Sequence, residues 1–327
     1  MMKANIYLIV AASFALGFLA AAFIYKFGGR IGLMDMPVVR SSHSTPTPSG
    51  GGVGIPLAFA LLAFFFLADY GLAMIGAAMG LLGFMVDLTD FSPKGRLLLE
   101  FIIASAALAI LRGLPISGAD GALFLSLSVF IVATANIYNF MDGINGIAAL
   151  SGIMAFGTIT VFSAIISNDT QAASISLVIA AACASLLPFN FPKARVFMGD
   201  TASLFLGFIF AYMVIRLSSD LYRFVCLVTP LSMFYADTAV TIFHRWRNKE
   251  TLLVAHRRHL YQYLCNELRL SQWVVALGYA FIQGAIGLIS LYLYAKKCYS
   301  YVIILFAAFW VTFIIFYKIV KSRKAQA

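Results

Sequence analysis

The sequence predicts an all-α, polytopic membrane protein of about eleven transmembrane helices, its N-terminus on the outer side and its C-terminus in the cytoplasm. Three observations lead there. Of its 327 residues 62% are hydrophobic and only 11% charged, a balance that a water-soluble domain of this size could not keep in solution. Apolar stretches near the ~20 residues needed to cross a bilayer recur from end to end. Most of the 23 lysines and arginines fall on alternate loops, which the positive-inside rule assigns to the cytoplasm.

The spans read in order as 5–25, 50–68, 71–86, 97–111, 121–138, 147–167, 171–189, 201–215, 221–243, 272–295 and 299–317. They leave no room for a separate soluble domain, so residues 1–327 are expected to form one transmembrane unit. The first span is read as a retained helix: its apolar run exceeds the usual 7–15 residues of a signal peptide core, and only Lys3 precedes it. Cys183, Cys226, Cys265 and Cys298 form no CxxC pair, so neither a disulfide framework nor a thiolate metal site is expected. The net charge of +10 has a plain explanation in topology and attraction to anionic lipid. The acids are less easily dismissed, because most of the 13 fall on the same inner side as the bases.

Five inner segments carry the candidate chemistry. The first, Arg40-Ser-Ser-His43 through Pro48-Ser-Gly50-Gly-Gly-Val-Gly54, combines stiffening prolines with glycines that allow close backbone approach; it also reads as an ordinary loop. The second, Asp87-Leu-Thr-Asp90-Phe-Ser-Pro-Lys94-Gly-Arg96, spaces two carboxylates one helical turn apart, suited to a divalent cation or to positioning a phosphate, or to a solvated helix end. In the third, Asn136, Asn139 and Asp142 are spaced by three and form a polar stripe on an apolar helix. A central Asp in hydrocarbon costs about 2.5–3.5 kcal/mol, which favours a ligand-facing role over an interhelical hydrogen-bond cluster. The fourth, Asn190-Phe-Pro-Lys193-Ala-Arg195-Val-Phe197-Met-Gly-Asp200, places Asp200 where an N-cap would stand, with cations nearby that suit a phosphate or metal. The fifth holds His256-Arg257-Arg258-His259, an anion clamp or a basic surface helix; two histidines with no third ligand at matching spacing do not suggest zinc.

In this order, these segments resemble the polyprenyl-phosphate N-acetylhexosamine-1-phosphate transferases, glycosyltransferase family 4, over most of the chain from Arg40 to Tyr261. The most specific parts are Val196-Phe-Met-Gly-Asp200, Asn139-Phe-Met-Asp142-Gly, and Asp237-Thr-Ala-Val-Thr241 through His256-Arg-Arg-His259-Leu-Tyr-Gln. The closing run looks like the branch that initiates O-antigen and related lipid-linked glycans, and lacks the triple-histidine loop usual in the related phospho-N-acetylmuramoyl-pentapeptide transferases.

The resemblance implies transfer of N-acetylhexosamine 1-phosphate from a UDP-sugar to undecaprenyl phosphate, with release of UMP, on the cytoplasmic face of a bacterial inner membrane. It implies Mg²⁺, with Mn²⁺ as the alternative, held by Asp200 and Asp87. Asp87 would stand beside the lipid phosphate, with Asp90 as a further catalytic candidate. Phe197 would stack on uracil, and Asn139, Asp142 and Asn190 would hold the nucleotide. Lys94, Arg195, His256, Arg257, Arg258 and His259 would meet the phosphates. The partners expected are the nucleotide sugar, the lipid phosphate and the bilayer, with no nucleic acid and with a homodimer left open.

The chain departs from the family pattern in three places. Val86-Asp87 replaces adjacent aspartates, Asp142-Gly-Ile-Asn145 ends on an amide, and Ser49 stands where an arginine is common. A phosphate monoester, with a second pKa near ~6, is mostly a dianion at neutral pH and needs no base to deprotonate it. The rival readings are a non-catalytic relative and a transporter; a transporter calls for acids deep within spans and a repeated half, and the sequence halves share no motif.

Overall fold

The computed structural model describes residues 6–37, 45–89, 91–251 and 257–322. Thirteen α-helices account for most of them: α1 (Ile6–Phe27), α2 (Gly54–Phe65), α3 (Tyr70–Leu88), α4 (Pro93–Arg112), α5 (Gly118–Phe140), α6 (Ile147–Ile165), α7 (Thr170–Asn190), α8 (Asp200–Leu217), α9 (Leu221–Val228), α10 (Ser232–Arg247), α11 (Leu260–Asn266), α12 (Gln272–Ala295) and α13 (Tyr299–Ser322). Two short strands, β1 (Met34–Asp35) and β2 (Thr47–Pro48), pair antiparallel.

All eleven expected spans coincide with helices. Among the described residues nine segments are long and apolar enough to cross a membrane, with α9, a 3₁₀ turn and α10 counting together as Leu221–Arg247. The other two are α2, whose 12 residues fall short of a ~20-residue crossing, and α4, which carries Lys94, Arg96, Glu100 and Arg112. The helix expected over 221–243 is interrupted at Thr229–Leu231 because Pro230 has no N–H for the helical ladder.

The centre of the bundle is α8, where every side chain from Thr201 to Ile215 is buried. A helix buried all round reads as uniformly apolar, without an amphipathic stripe. α3 and α5 flank it. The closest approach on the α3 side is at Gly83, where a Cβ would lie 2.5 Å from the Asp200 carbonyl oxygen and 2.6 Å from Thr201 Cα. Only glycine lets the two backbones meet there, and one turn further along α3 stands Asp87.

A structural repeat that the sequence hides appears at the other end of the bundle. The turn before α3 bonds Leu67 N–H to Leu62 O and Asp69 N–H to Ala63 O, and the turn before α7 bonds Ser167 N–H to Phe162 O and Asp169 N–H to Ser163 O. Ala68 and Asn168 both take positive φ, and Asp69 and Asp169 both cap the following helix. Arg216 at the end of α8 pairs with both aspartates, at 3.0 and 3.5 Å.

Candidate active site

The described parts of the five chemistry-bearing segments meet at the end of the bundle opposite Arg216. Their centre is the α3–α8 junction. The first N–H groups of a helix have no partner within it. At α8 they are satisfied from α3: Asp87 Oδ1 accepts the Asp200 N–H at 2.9 Å, and Oδ2 accepts the Thr201 N–H at 2.9 Å and the Thr201 hydroxyl at 2.6 Å. The anion also complements the positive end of the helix dipole.

The capping role considered for Asp200 therefore belongs to Asp87. Asp200 is the first residue inside α8, and the N-cap position is Gly199, which contributes no side chain. Gly199 takes φ 82°, and a Cβ there would meet the Gly50 nitrogen at 2.6 Å and Asp87 Oδ2 at 2.7 Å. Glycine is thus required by both conformation and space. The glycine-rich stretch lies against this segment through Phe197 N–H to Pro48 O at 2.8 Å, Gly51 N–H to Phe197 O at 2.8 Å and Gly52 N–H to Met198 O at 2.9 Å.

Relieved of capping, the Asp200 carboxylate points into a polar cluster. Its Oδ2 accepts Arg96 Nη1 at 3.0 Å, and its Oδ1 accepts Asn139 Nδ2 at 2.9 Å, the same amide that donates to Ser203 Oγ at 2.9 Å. Arg96 Nη2 donates to Asn136 Oδ1 at 2.9 Å, and Arg96 Nε lies 3.2 Å from the buried Glu100, one turn along α4. Asn136 donates in turn to Glu100 and to Val132 O. The polar stripe on α5 is real, but its third member is not helical: α5 ends at Phe140 and Asp142 stands in the turn beyond.

Asp142 differs from its neighbours. Among the described residues its carboxylate has no hydrogen-bond donor, and burial together with the Asp200 and Asp87 carboxylates raises its pKa well above the usual carboxylate range. Acids near one another in this way each make ionisation of the others more costly. Among the described residues no three His, Cys, Asp or Glu side chains are grouped so as to hold a metal ion between them.

Other candidates have structural employment. Asn190, 3% exposed, accepts the Gly146 N–H at 2.8 Å and donates to Val196 O at 2.9 Å, so its amide braces the Asp142 turn against the Val196–Met198 segment. Arg195 donates to Pro188 O at 2.6 Å and lies over the Tyr25 and Phe189 rings. Lys94 is exposed in the first turn of α4, and Phe197 is half-buried. Asp90 and His256 lie outside the described residues, as do Arg40 and His43.

Arg257 and Arg258 are exposed, while His259 is buried at the start of α11. Arg258 pairs with Glu250, and its carbonyl accepts Lys321 Nζ from α13 at 2.9 Å. The fully buried Tyr261 donates its hydroxyl to Phe140 O at 3.0 Å, which carries this loop to the Asp142 turn. Sequence reasoning assigned no role to Arg96, Glu100, Ser203 or Tyr261. The spacing of Arg96 and Glu100 by four was the visible sign for that pair.

The model of the family described as Glycosyl transferase family 4 matches residues 70–218, the stretch from α3 to the end of α8 that holds Asp87, Arg96, Asn139, Asp142 and Asp200. The chain is 28% identical over 300 residues to a probable undecaprenyl-phosphate N-acetylglucosaminyl 1-phosphate transferase of Bacillus subtilis (strain 168), covering 85% of this chain and 83% of that one. It is 28% identical over 220 residues to the decaprenyl-phosphate N-acetylglucosaminephosphotransferase of Mycobacterium tuberculosis (strain ATCC 25618 / H37Rv), covering 58% of this chain and 54% of the relative. A phospho-N-acetylmuramoyl-pentapeptide-transferase of Desulforudis audaxviator (strain MP104C) is 34% identical over 224 residues, 56% of this chain and 65% of its own.

Proposed function

The chain belongs to glycosyl transferase family 4, the polyprenyl-phosphate N-acetylhexosamine-1-phosphate transferases, and on that premise we propose that it transfers N-acetylhexosamine 1-phosphate from a UDP-sugar to undecaprenyl phosphate. The products are undecaprenyl-pyrophosphoryl-sugar and UMP, and the step initiates O-antigen or another cell-surface polysaccharide. The site faces the cytoplasm of a bacterial inner membrane, with eleven spans, the N-terminus periplasmic and the C-terminus cytoplasmic. The single observation that carries this reading is the Asp200 carboxylate, freed from capping by Asp87 and aimed by Arg96 and Asn139.

In the reaction an oxygen of the lipid phosphate bonds to the sugar-bearing phosphorus, and the bond from that phosphorus to the bridging oxygen breaks. UMP leaves with the electron pair. Two anions must meet, so positioning and charge neutralisation are the main tasks. Asp200 and Asp87 would hold Mg²⁺ or Mn²⁺, with Asp142 adjacent, and the ion would neutralise phosphate charge when bound. Asp87 already accepts three hydrogen bonds, which leaves roughly one of its ~four lone-pair sites for an ion and little freedom to act as a base. The lipid phosphate needs no base at neutral pH. Val86 is then a tolerated neighbour that spares the incoming phosphate a second negative charge. Asn139 and Arg96 orient Asp200, and Arg257 and Arg258 supply positive charge and donors for the diphosphate, with His259 beside them.

The test is purified chain in detergent with undecaprenyl phosphate, Mg²⁺ and a panel of UDP-N-acetylhexosamines, including GlcNAc, FucNAc and QuiNAc, with UMP release as readout. Release with one of them is the expected result. No release from any sugar, beside a working relative under the same conditions, sinks the proposal.

A further inference from the structure

Asp237 takes part in none of the contacts above, yet it is fully buried on α10 and gathers donors from several elements. It accepts the Leu260 N–H at 2.7 Å and the Tyr261 N–H at 3.2 Å, the hydroxyl of Tyr279 on α12 at 2.8 Å, and the hydroxyl of Thr241 at 3.3 Å. His259 Nδ1 stands 3.4 Å from its Oδ1. A buried carboxylate is costly unless its lone pairs are filled, and here two of those four donors are the N–H groups of Leu260 and Tyr261.

That segment begins α11, whose seven residues are too few to hold a helix by themselves. It is pinned from two sides. Asp237 holds its first N–H groups toward the bundle, and Tyr261 donates to Phe140 O beside the Asp142 turn. The imidazole of His259 is stacked on the Tyr261 ring, 5.7 Å between centroids.

Resting on the transferase reading, we propose that Asp237 is the positioning residue of the Arg257–His259 loop: by holding the Leu260 and Tyr261 N–H groups it sets the register of His259 and the two arginines on the diphosphate. It acts through the loop and touches no substrate. α10 thereby links the membrane-embedded bundle to the anion-binding segment.

The test uses full-length chain in detergent carrying Asp237→Asn, with ¹⁵N-histidine labelling. The chain has four histidines, so the His259 signal is assigned by its loss in His259→Gln. The His259 imidazole signal should shift in Asp237→Asn as the loop loses its register, and UDP binding with Mg²⁺, read by calorimetry, should weaken about tenfold. Asp237→Asn with His259→Gln should bind UDP within about twofold of the weaker single variant. Tyr279→Phe, which removes one donor to Asp237 and keeps the ring that packs edge-on against Tyr261, should move both readouts the same way by less, and it serves if Asp237→Asn does not fold. An unchanged imidazole pattern, or additive losses of UDP binding, overturns the proposal. Neither readout needs turnover, so a chain that binds UDP but releases no UMP refutes the transferase reading and leaves this one standing.

Discussion

Asp87 accepts the backbone N–H of Asp200 at 2.9 Å, so one acid of the site caps the helix that begins with the other. Asp87→Ala should therefore lose both stability and turnover. Loss of a helix cap costs about 0.5–2 kcal/mol. Asp200→Asn keeps the cap and the shape, so its melting temperature in detergent should stay within a few degrees of wild type while UMP release falls at least about a hundredfold. Full activity in Asp200→Asn would remove it as the metal ligand.

Arg96 donates to Asp200 and Asn136 and pairs with Glu100 through three separate nitrogens. A planar fork can do this and an ammonium cannot. Arg96→Lys should lower kcat about 10–100-fold with a smaller change in the KM for UDP-sugar. Wild-type kcat in Arg96→Lys would reduce the residue to a generic positive charge.

Chelation should abolish UMP release, because three neighbouring carboxylates and two substrates bearing phosphate leave too much negative charge uncompensated. Readdition of Mg²⁺ or Mn²⁺ should restore it. Turnover that survives exhaustive chelation would separate Asp200 and Asp87 from any metal role.

At the far end, Arg216 holds Asp69 and Asp169, and each pair is partly exposed. Arg216→Ala leaves two aspartates uncompensated, at a cost of about 1–2 kcal/mol after allowance for solvent screening. Thermal unfolding in detergent should fall by a few degrees. UMP release should remain within about twofold of wild type, since no contact of the site is touched.

Much of the site was legible because its residues violate the local solvent. Asp87, Asn139, Asp142 and Asp200 are polar groups at the margins of apolar runs, where only a partner or a ligand offsets their cost. Asn190 satisfies the same criterion, yet the structure employs it as a brace for the backbone of Gly146 and Val196. Sequence spacing cannot separate these two uses. Arg195 is similar: its charge suggested phosphate, while its guanidinium is engaged by Pro188 O and two rings. Asp237 stood out in the sequence as part of a family-like run, and nothing near it in sequence indicates that three of its donors come from residues more than twenty positions away.

The sequence by itself determined that this chain is a bundle of membrane helices with its polar groups at alternate loops, because hydrophobicity over a bilayer's thickness and the distribution of charge are local, additive properties. Tertiary structure decided which acid caps and which turns its carboxylate to Arg96 and Asn139. That choice depends on how closely α3 approaches α8 at Gly83, a contact between residues over a hundred positions apart. The same holds for the paired turns at Asp69 and Asp169, which share backbone hydrogen bonds but little sequence. Hydrogen-bond geometry is fixed by packing across the bundle, and packing is not written in any one stretch of the chain.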